Sequence, residues 1–124
     1  MEQKNIIVEK SYKFALDIIK LFKFLKDVKN EYVISKQLLR CGTSIGANVN
    51  ESQSAESTPD FIHKLSIAAK EARETEYWLQ LLKESEYIDS KTFETINNEC
   101  ITILKILNSI ILTSSKKNNS KIHN

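Results

Sequence analysis

The chain has 124 residues, with 18 Lys and Arg against 16 Asp and Glu and a formal net charge of +2. That length supports one domain with its own core. Two glycines and one proline are too few for the many turns of a sandwich or barrel, and no Gly-rich phosphate loop of the nucleotide-binding α/β folds is present. Cys41 and Cys100 read as free thiols in a reducing cytoplasm, because small secreted scaffolds carry many more cysteines. The opening residues, Met1 to Asn5, are polar and charged and lead into no long apolar run, so no signal peptide is expected. No apolar stretch approaches the ~20 residues that span a bilayer.

The first predicted helix runs from about Ile6 to Val28. Val8, Tyr12, Ala15, Ile19 and Phe22 recur at helical spacing. A second seam, Phe14, Ile18, Leu21, Leu25 and Val28, lies beside it, and the combined apolar arc is wider than one partner helix requires. The second helix is expected from about Glu31 to Glu56, with Leu38, Ile45 and Val49 as its larger apolar groups. Gly42 and Gly46 interrupt its propensity, since Gly costs about 1 kcal/mol relative to Ala inside a helix. Their spacing of four places them on one face and points to close approach by a neighbour. The apolar period continues through them and no Pro intervenes, which favours one continuous helix.

Ser57-Thr58-Pro59-Asp60 marks the next start. Thr58 can cap the third helix, Pro59 suits its first turn, and Asp60 complements the amino-terminal dipole. That helix is expected to reach about Ser85, with Phe61, Leu65, Ala68, Ala72, Leu79 and Leu82 on one face. Its small residues Ala68, Ala69 and Ala72 are candidates to receive the glycines of the second helix. A fourth helix starts near Asp89 or Ser90 and runs to about Thr113 through Phe93, Ile96, Cys100, Ile103, Leu107 and Ile110, with Ile101, Leu104 and Ile111 alongside. The short links make sequential helices antiparallel. The expected fold is all-α, an up-down-up-down four-helix bundle over residues 1–113. Residues 114–124, Ser114 to Asn124, are expected to form a flexible basic tail.

Charge is unevenly distributed. Residues 1–40 carry a net +4, residues 41–99 a net −6 and residues 100–124 a net +4. Basic ends of this kind offer contacts to RNA or DNA, and Lys13, Lys20, Lys116 and Lys117 are the candidates. A Lys-rich solvated helix face is the commoner reason for such a pattern. Chemistry-bearing motifs are missing: there is no paired Glu-x-x-His for a di-iron bundle, no Gly-x-Ser-x-Gly elbow, and His63 and His123 stand alone. No catalytic residue, metal ligand or cofactor is therefore assigned. Cys41 and Cys100 read as small core residues.

Polar residues within the helices are more informative. Arg40, Ser44, Asn48 and Glu51 recur along one stripe of the second helix. Glu71, Thr75 and Trp78 form a similar stripe on the third, with Glu74 and Tyr77 adjacent. Arg40 is one of two arginines in a Lys-rich chain, and its planar fork matches a carboxylate. Two readings stand open: a structural network of Arg40, Ser44, Asn48, Glu71 and Glu74 in which Arg40 meets Glu71 or Glu74, or an exposed helix face with no pairing. Tyr77-Trp78 reads as interface or core packing, with base stacking as the other use.

The blocks Leu38-Leu39-Arg40, Ser44-Ile45-Gly46-Ala47-Asn48 with Glu51, Asp60-Phe61, Lys64-Leu65-Ser66-Ile67-Ala68 and Lys70-Glu71-Ala72-Arg73-Glu74-Thr75-Glu76-Tyr77-Trp78-Leu79 closely resemble a bacterial four-helix-bundle family. Its members are encoded within intervening sequences of large-subunit ribosomal RNA genes. The resemblance extends from near Val8 to about Leu107. It implies a homopentameric ring without enzymatic activity. The family is related to the accessory protein of diversity-generating retroelements, which binds nucleic acid and a reverse transcriptase. Further copies of the chain, RNA or DNA, and a protein such as a reverse transcriptase are thus the implied partners. The wide apolar arcs of the first and fourth helices independently call for a partner surface.

Overall fold

The computed structural model describes the backbone of residues 2–123 and the side chains of residues 6–120. Its elements are four helices: α1 (Glu2–Asp27), α2 (Ile34–Ser52), α3 (Thr58–Glu84) and α4 (Ser90–His123). Links of five or six residues, 28–33, 53–57 and 85–89, return each helix alongside its predecessor. Each helix packs on its sequence neighbours and α4 closes back on α1, while the backbones of the diagonal pairs stay apart among the described residues. The fold is an all-α four-helix bundle.

The expected periodicities supply the core. Phe14, Ile18, Leu21 and Leu25 of α1 meet Leu38, Cys41, Ile45 and Val49 of α2, Leu65, Ala68, Ala72, Leu79 and Leu82 of α3, and Phe93, Cys100, Ile103, Leu107 and Ile110 of α4. Full burial of such aliphatic or aromatic groups contributes about 1.5–3 kcal/mol each. The two seams of α1 part company. Phe14, Ile18, Leu21 and Leu25 are inside, whereas Val8, Ala15, Ile19 and Phe22 are half-buried and Tyr12 is exposed. Val28 lies beyond the helix end and is exposed.

α2 is continuous through both glycines, as the apolar period required. The glycines face α1 rather than the alanines of α3. A Cβ on Gly42 would stand 2.9 Å from two side-chain carbons of Ile18, and one on Gly46 would stand 3.1 Å from the Ser11 carbonyl oxygen. The small stripe of α3 serves α4 instead, where the Cys100 thiol reaches the Ala72 carbonyl at 3.3 Å.

Helix ends differ from the sequence expectation in ways that capping explains. α2 starts at Ile34, not near Glu31, because Glu31 folds back as the cap. Its buried carboxylate accepts the backbone N–H groups of Val33, Ile34 and Ser35 at 3.0, 2.8 and 2.9 Å. The Ser35 hydroxyl returns a bond to the Glu31 carbonyl at 2.8 Å. These contacts satisfy donors that every helix start leaves open. α2 also ends at Ser52, short of Glu56, and turn-type bonds such as Ser54 N–H to the Glu51 carbonyl carry the chain out.

Ser57, rather than Thr58, caps α3: its hydroxyl accepts the Asp60 N–H at 3.1 Å, leaving Thr58 and Pro59 in the first turn. The other end of α3 closes in a Schellman motif. Glu86 adopts a left-handed φ of 67°, and the N–H groups of Tyr87 and Glu86 bond the carbonyls of Leu82 and Lys83. Asp89 caps α4 through the Thr92 N–H at 2.7 Å. That backbone bond is the main reason the Asp89 carboxyl sits below its usual range.

α4 passes Thr113, where the sequence reading ends it, and the backbone of 114–123 continues the same helix. Ser114 to Ser120 contain neither Gly nor Pro, and extending a packed helix avoids the cost of nucleating one. Lys116 and Lys117 are exposed on this extension. The remainder of the expected tail, including the His123 side chain and Asn124, lies outside the described residues, as does Met1 at the expected leaderless start.

Candidate interaction surfaces

Three surfaces gather the polar and exposed apolar residues. The first lies across α2 and α3. Arg40 donates through Nη1 to Glu71 Oε2 at 3.2 Å and through Nη2 to Glu74 Oε2. Trp78 Nε1 donates to that same Glu74 oxygen at 3.1 Å. The carboxylates thus orient both the guanidinium and the indole. Tyr77 packs edge-on against Trp78, with ring centroids 5.0 Å apart, and remains exposed. The Arg40 side chain is 49% exposed, so water weakens the ion pairs.

Ser44 and Asn48 extend the stripe but bond within their own helix. The Ser44 hydroxyl donates to the Arg40 carbonyl at 2.6 Å, and Asn48 Nδ2 donates to the Ser44 carbonyl at 2.9 Å. Beneath them the Thr75 hydroxyl donates to the Glu71 carbonyl at 2.7 Å and lies 3.2 Å from Cys41 Sγ. Burial pushes the Cys41 thiol up to about 11 and the Cys100 thiol up to about 12. Both remain protonated near neutrality and are poor nucleophiles.

The second surface is the outer face of α1. Tyr12 is 68% exposed and Leu16 46% exposed. Beside them a groove of about 340 Å³ runs between α1 and α2, floored by Gly46 and Ala47 and walled by Val8, Tyr12 and Thr43. The close approach at Gly46 shapes this seam, because a Cβ there would crowd the Ser11 carbonyl oxygen at 3.1 Å and require a shift of a few tenths of an ångström.

The third surface is the seam between α1 and α4. Lys13 Nζ stands 2.9 Å from Asp17 Oδ2 and 3.5 Å from Glu99 Oε1. Lys13 is raised above its ordinary value, first by its bond to Asp17 and then by the Glu99 charge.

Against this geometry, the model of the 23S rRNA-intervening sequence protein family matches residues 3–109. The chain belongs to that family. A solved structure supports the same assignment: a protein with unknown function from the S23 ribosomal protein family of Bacteroides thetaiotaomicron VPI-5482. The two are 53% identical with a TM-score of 0.87, over 88% of this chain and 97% of that one. Comparison with curated proteins finds no match.

In this 23S rRNA-intervening sequence family member, the expected sites divide. Arg40, Glu71 and Glu74 come together, and Arg40 takes both carboxylates rather than one. Ser44 and Asn48 line the same stripe without bonding the carboxylates. Among the nucleic-acid candidates all four lysines are exposed, and Lys13 is in addition held in ion pairs. In the sequence Asp17 reads only as part of the charged surface of the first helix, and Glu99 does not stand out. The i,i+4 spacing of Lys13 and Asp17 was an available signal; Glu99 depends on the register between α1 and α4. His63 is exposed on α3. Among the described residues, no group of three or more His, Cys, Asp or Glu is placed to hold a metal ion, and no helix is long and apolar enough to cross a membrane.

Proposed function

We propose that the protein is a non-enzymatic cytoplasmic module that assembles into a homo-oligomeric ring of five copies and holds RNA or DNA on its basic surface. The outer face of α1 carries this reading. Tyr12 and Leu16 are exposed beside half-buried Val8, Ala15 and Ile19 and the groove over Gly46. A contiguous apolar surface of this kind marks a partner site on a soluble protein. A closed ring requires head-to-tail contacts between unlike surfaces, and Tyr77 and Leu81 on α3 provide a second exposed apolar patch. Family membership supports the absence of an enzymatic role, as do two buried thiols held in their neutral form.

Nucleic acid would meet Lys20, Lys116 and Lys117. A ring multiplies the small charge of each chain into a larger field. Native mass spectrometry of protein purified without nuclease, at low and then moderate salt, tests the binding. Bound nucleic-acid mass that salt removes is expected, because phosphate contacts release counterions. Charge reversal at Lys20, Lys116 and Lys117 should abolish it; bound mass indifferent to salt and to these changes would contradict the binding mode.

A second reading has its own support. The patch formed by Tyr77, Trp78 and Leu81 beside Arg40 combines aromatic, aliphatic and Arg groups, the composition of protein interfaces. A scaffold that docks a protein such as a reverse transcriptase would use that patch. Oligomers free of nucleic acid, with partner binding lost in Tyr77→Ala, would favour this alternative.

A further inference from the structure

The α1–α4 seam contains an arrangement that neither proposed binding role uses. Asp17 of α1 and Glu99 of α4 converge on the single Lys13 Nζ, at 2.9 and 3.5 Å, and their side chains interact with each other. Lys13–Glu99 is the only ion pair joining α1 to α4 among the described residues. The two carboxyl groups are partly shielded, with side chains 24% and 32% exposed. A groove of about 440 Å³ opens beside them, lined by Lys10 and Lys13 from α1 and by Thr95, Asn98, Glu99 and Thr102 from α4. No charged side chain of α2 or α3 lines it.

We propose that Asp17 and Glu99 share one proton beneath Lys13, making this contact a proton-sensitive clasp between α1 and α4. Two carboxylates that converge on one ammonium cannot both ionise without repulsion, and one cation does not fully neutralise two anions. The retained proton belongs on Glu99. Asp17 already has the closer bond to Lys13 and also feels Lys20, whereas Glu99 has only the longer contact to Lys13.

The titration directions agree with that placement. Burial raises Glu99 above its ordinary value of 4.5, and the bond and charge of Asp17 add to the rise against the pull of Lys13. Burial also pushes Asp17 upward, but the bonds from Lys13 and Glu99 and the charges of Lys13 and Lys20 outweigh it, leaving Asp17 below 3.8. A carboxyl whose folded value is raised holds its proton more firmly in the folded chain than in the unfolded one. Stability from Glu99 is therefore present below 4.5 and is lost as pH rises through its raised value. Asp17 has the opposite sign: its stability is present above 3.8 and is lost as pH falls through its lowered value. The clasp is tightest between the two and slackens as pH rises through the raised value of Glu99.

The consequence is a seam that grips under mild acid and loosens toward neutrality. Lys13 is the fulcrum of this device and not a freely available phosphate contact. A carboxyl-detected NMR titration of the full chain tests it directly. Glu99 is expected to titrate above its ordinary value and Asp17 below, each curve bending where the other group titrates. In Asp17→Asn, Glu99 should fall back toward or below its ordinary value. Glu99→Gln, which imitates the protonated acid, should raise Tm at neutral pH and remove the clasp's contribution to the pH dependence. Wild-type Glu99 titrating at or below its ordinary value would overturn the proposal. So would a Glu99 curve unchanged by Asp17→Asn, or a lower Tm for Glu99→Gln at neutral pH, since the contact would then be a simple Lys13–Glu99 ion pair.

Discussion

Glu31 shows how one side chain sets a helix start. A buried carboxylate that satisfies three backbone donors replaces the short Ser, Thr, Asp or Asn usually read as a cap. Glu31→Ala exposes those donors and should lower unfolding stability by about 2–3 kcal/mol, given the strength of hydrogen bonds to charged groups; chemical denaturation measures it. Glu31→Gln keeps the shape but loses the charge, and should cost less. At Gly42 the balance is steric. A methyl group gains helix propensity of about 1 kcal/mol, but it meets Ile18 at 2.9 Å in a core where overpacking costs about 1–3 kcal/mol. Gly42→Ala should therefore be neutral to destabilising, and Gly42→Ala combined with Ile18→Val should recover part of any loss.

At the scale of elements, the α2–α3 contact has a polar outer edge made by Arg40, Glu71 and Glu74. The two residue types and their stripes were legible, because Arg beside Glu on facing helices has few other uses. Their exposure limits the energy. A double-mutant cycle between Arg40→Ala and Glu74→Ala should yield a coupling of under about 1 kcal/mol that shrinks in salt. Asp89 at the start of α4 makes a pH prediction of definite sign. Its carboxyl is held low by the Thr92 N–H, so its contribution is complete above the ordinary value of 3.8 and is lost as pH falls through the lowered one. Asp89→Ala should flatten that part of an acid-unfolding curve, read by circular dichroism.

Elements and core were readable because helical spacing of apolar residues survives any detail of packing: the seam Phe14, Ile18, Leu21, Leu25 is inside as expected. Contacts that depend on rotation and register between helices were not readable. Gly42 and Gly46 had a readable face, but its partner is α1 and not the expected alanines of α3. Lys13 and Glu99 lie 86 positions apart and meet only through the closure of α4 on α1. The polar composition of Ser114 to Ser120 hides the end of α4, which the lack of any helix breaker there lets run on.

At the scale of the whole molecule, the bundle buries one seam of α1 and leaves another facing outward. Tyr12 and Leu16 are exposed, so charged replacements there should spare the fold while removing a partner surface. The most direct measurement is the solution mass of the wild-type chain and of Tyr12→Lys combined with Leu16→Lys, by light scattering or native mass spectrometry, with circular dichroism alongside. Five copies for the wild type, and a folded monomer for the double variant, are expected. A monomeric wild type, or a double variant that keeps the full assembly, would contradict the role given to the outer face of α1.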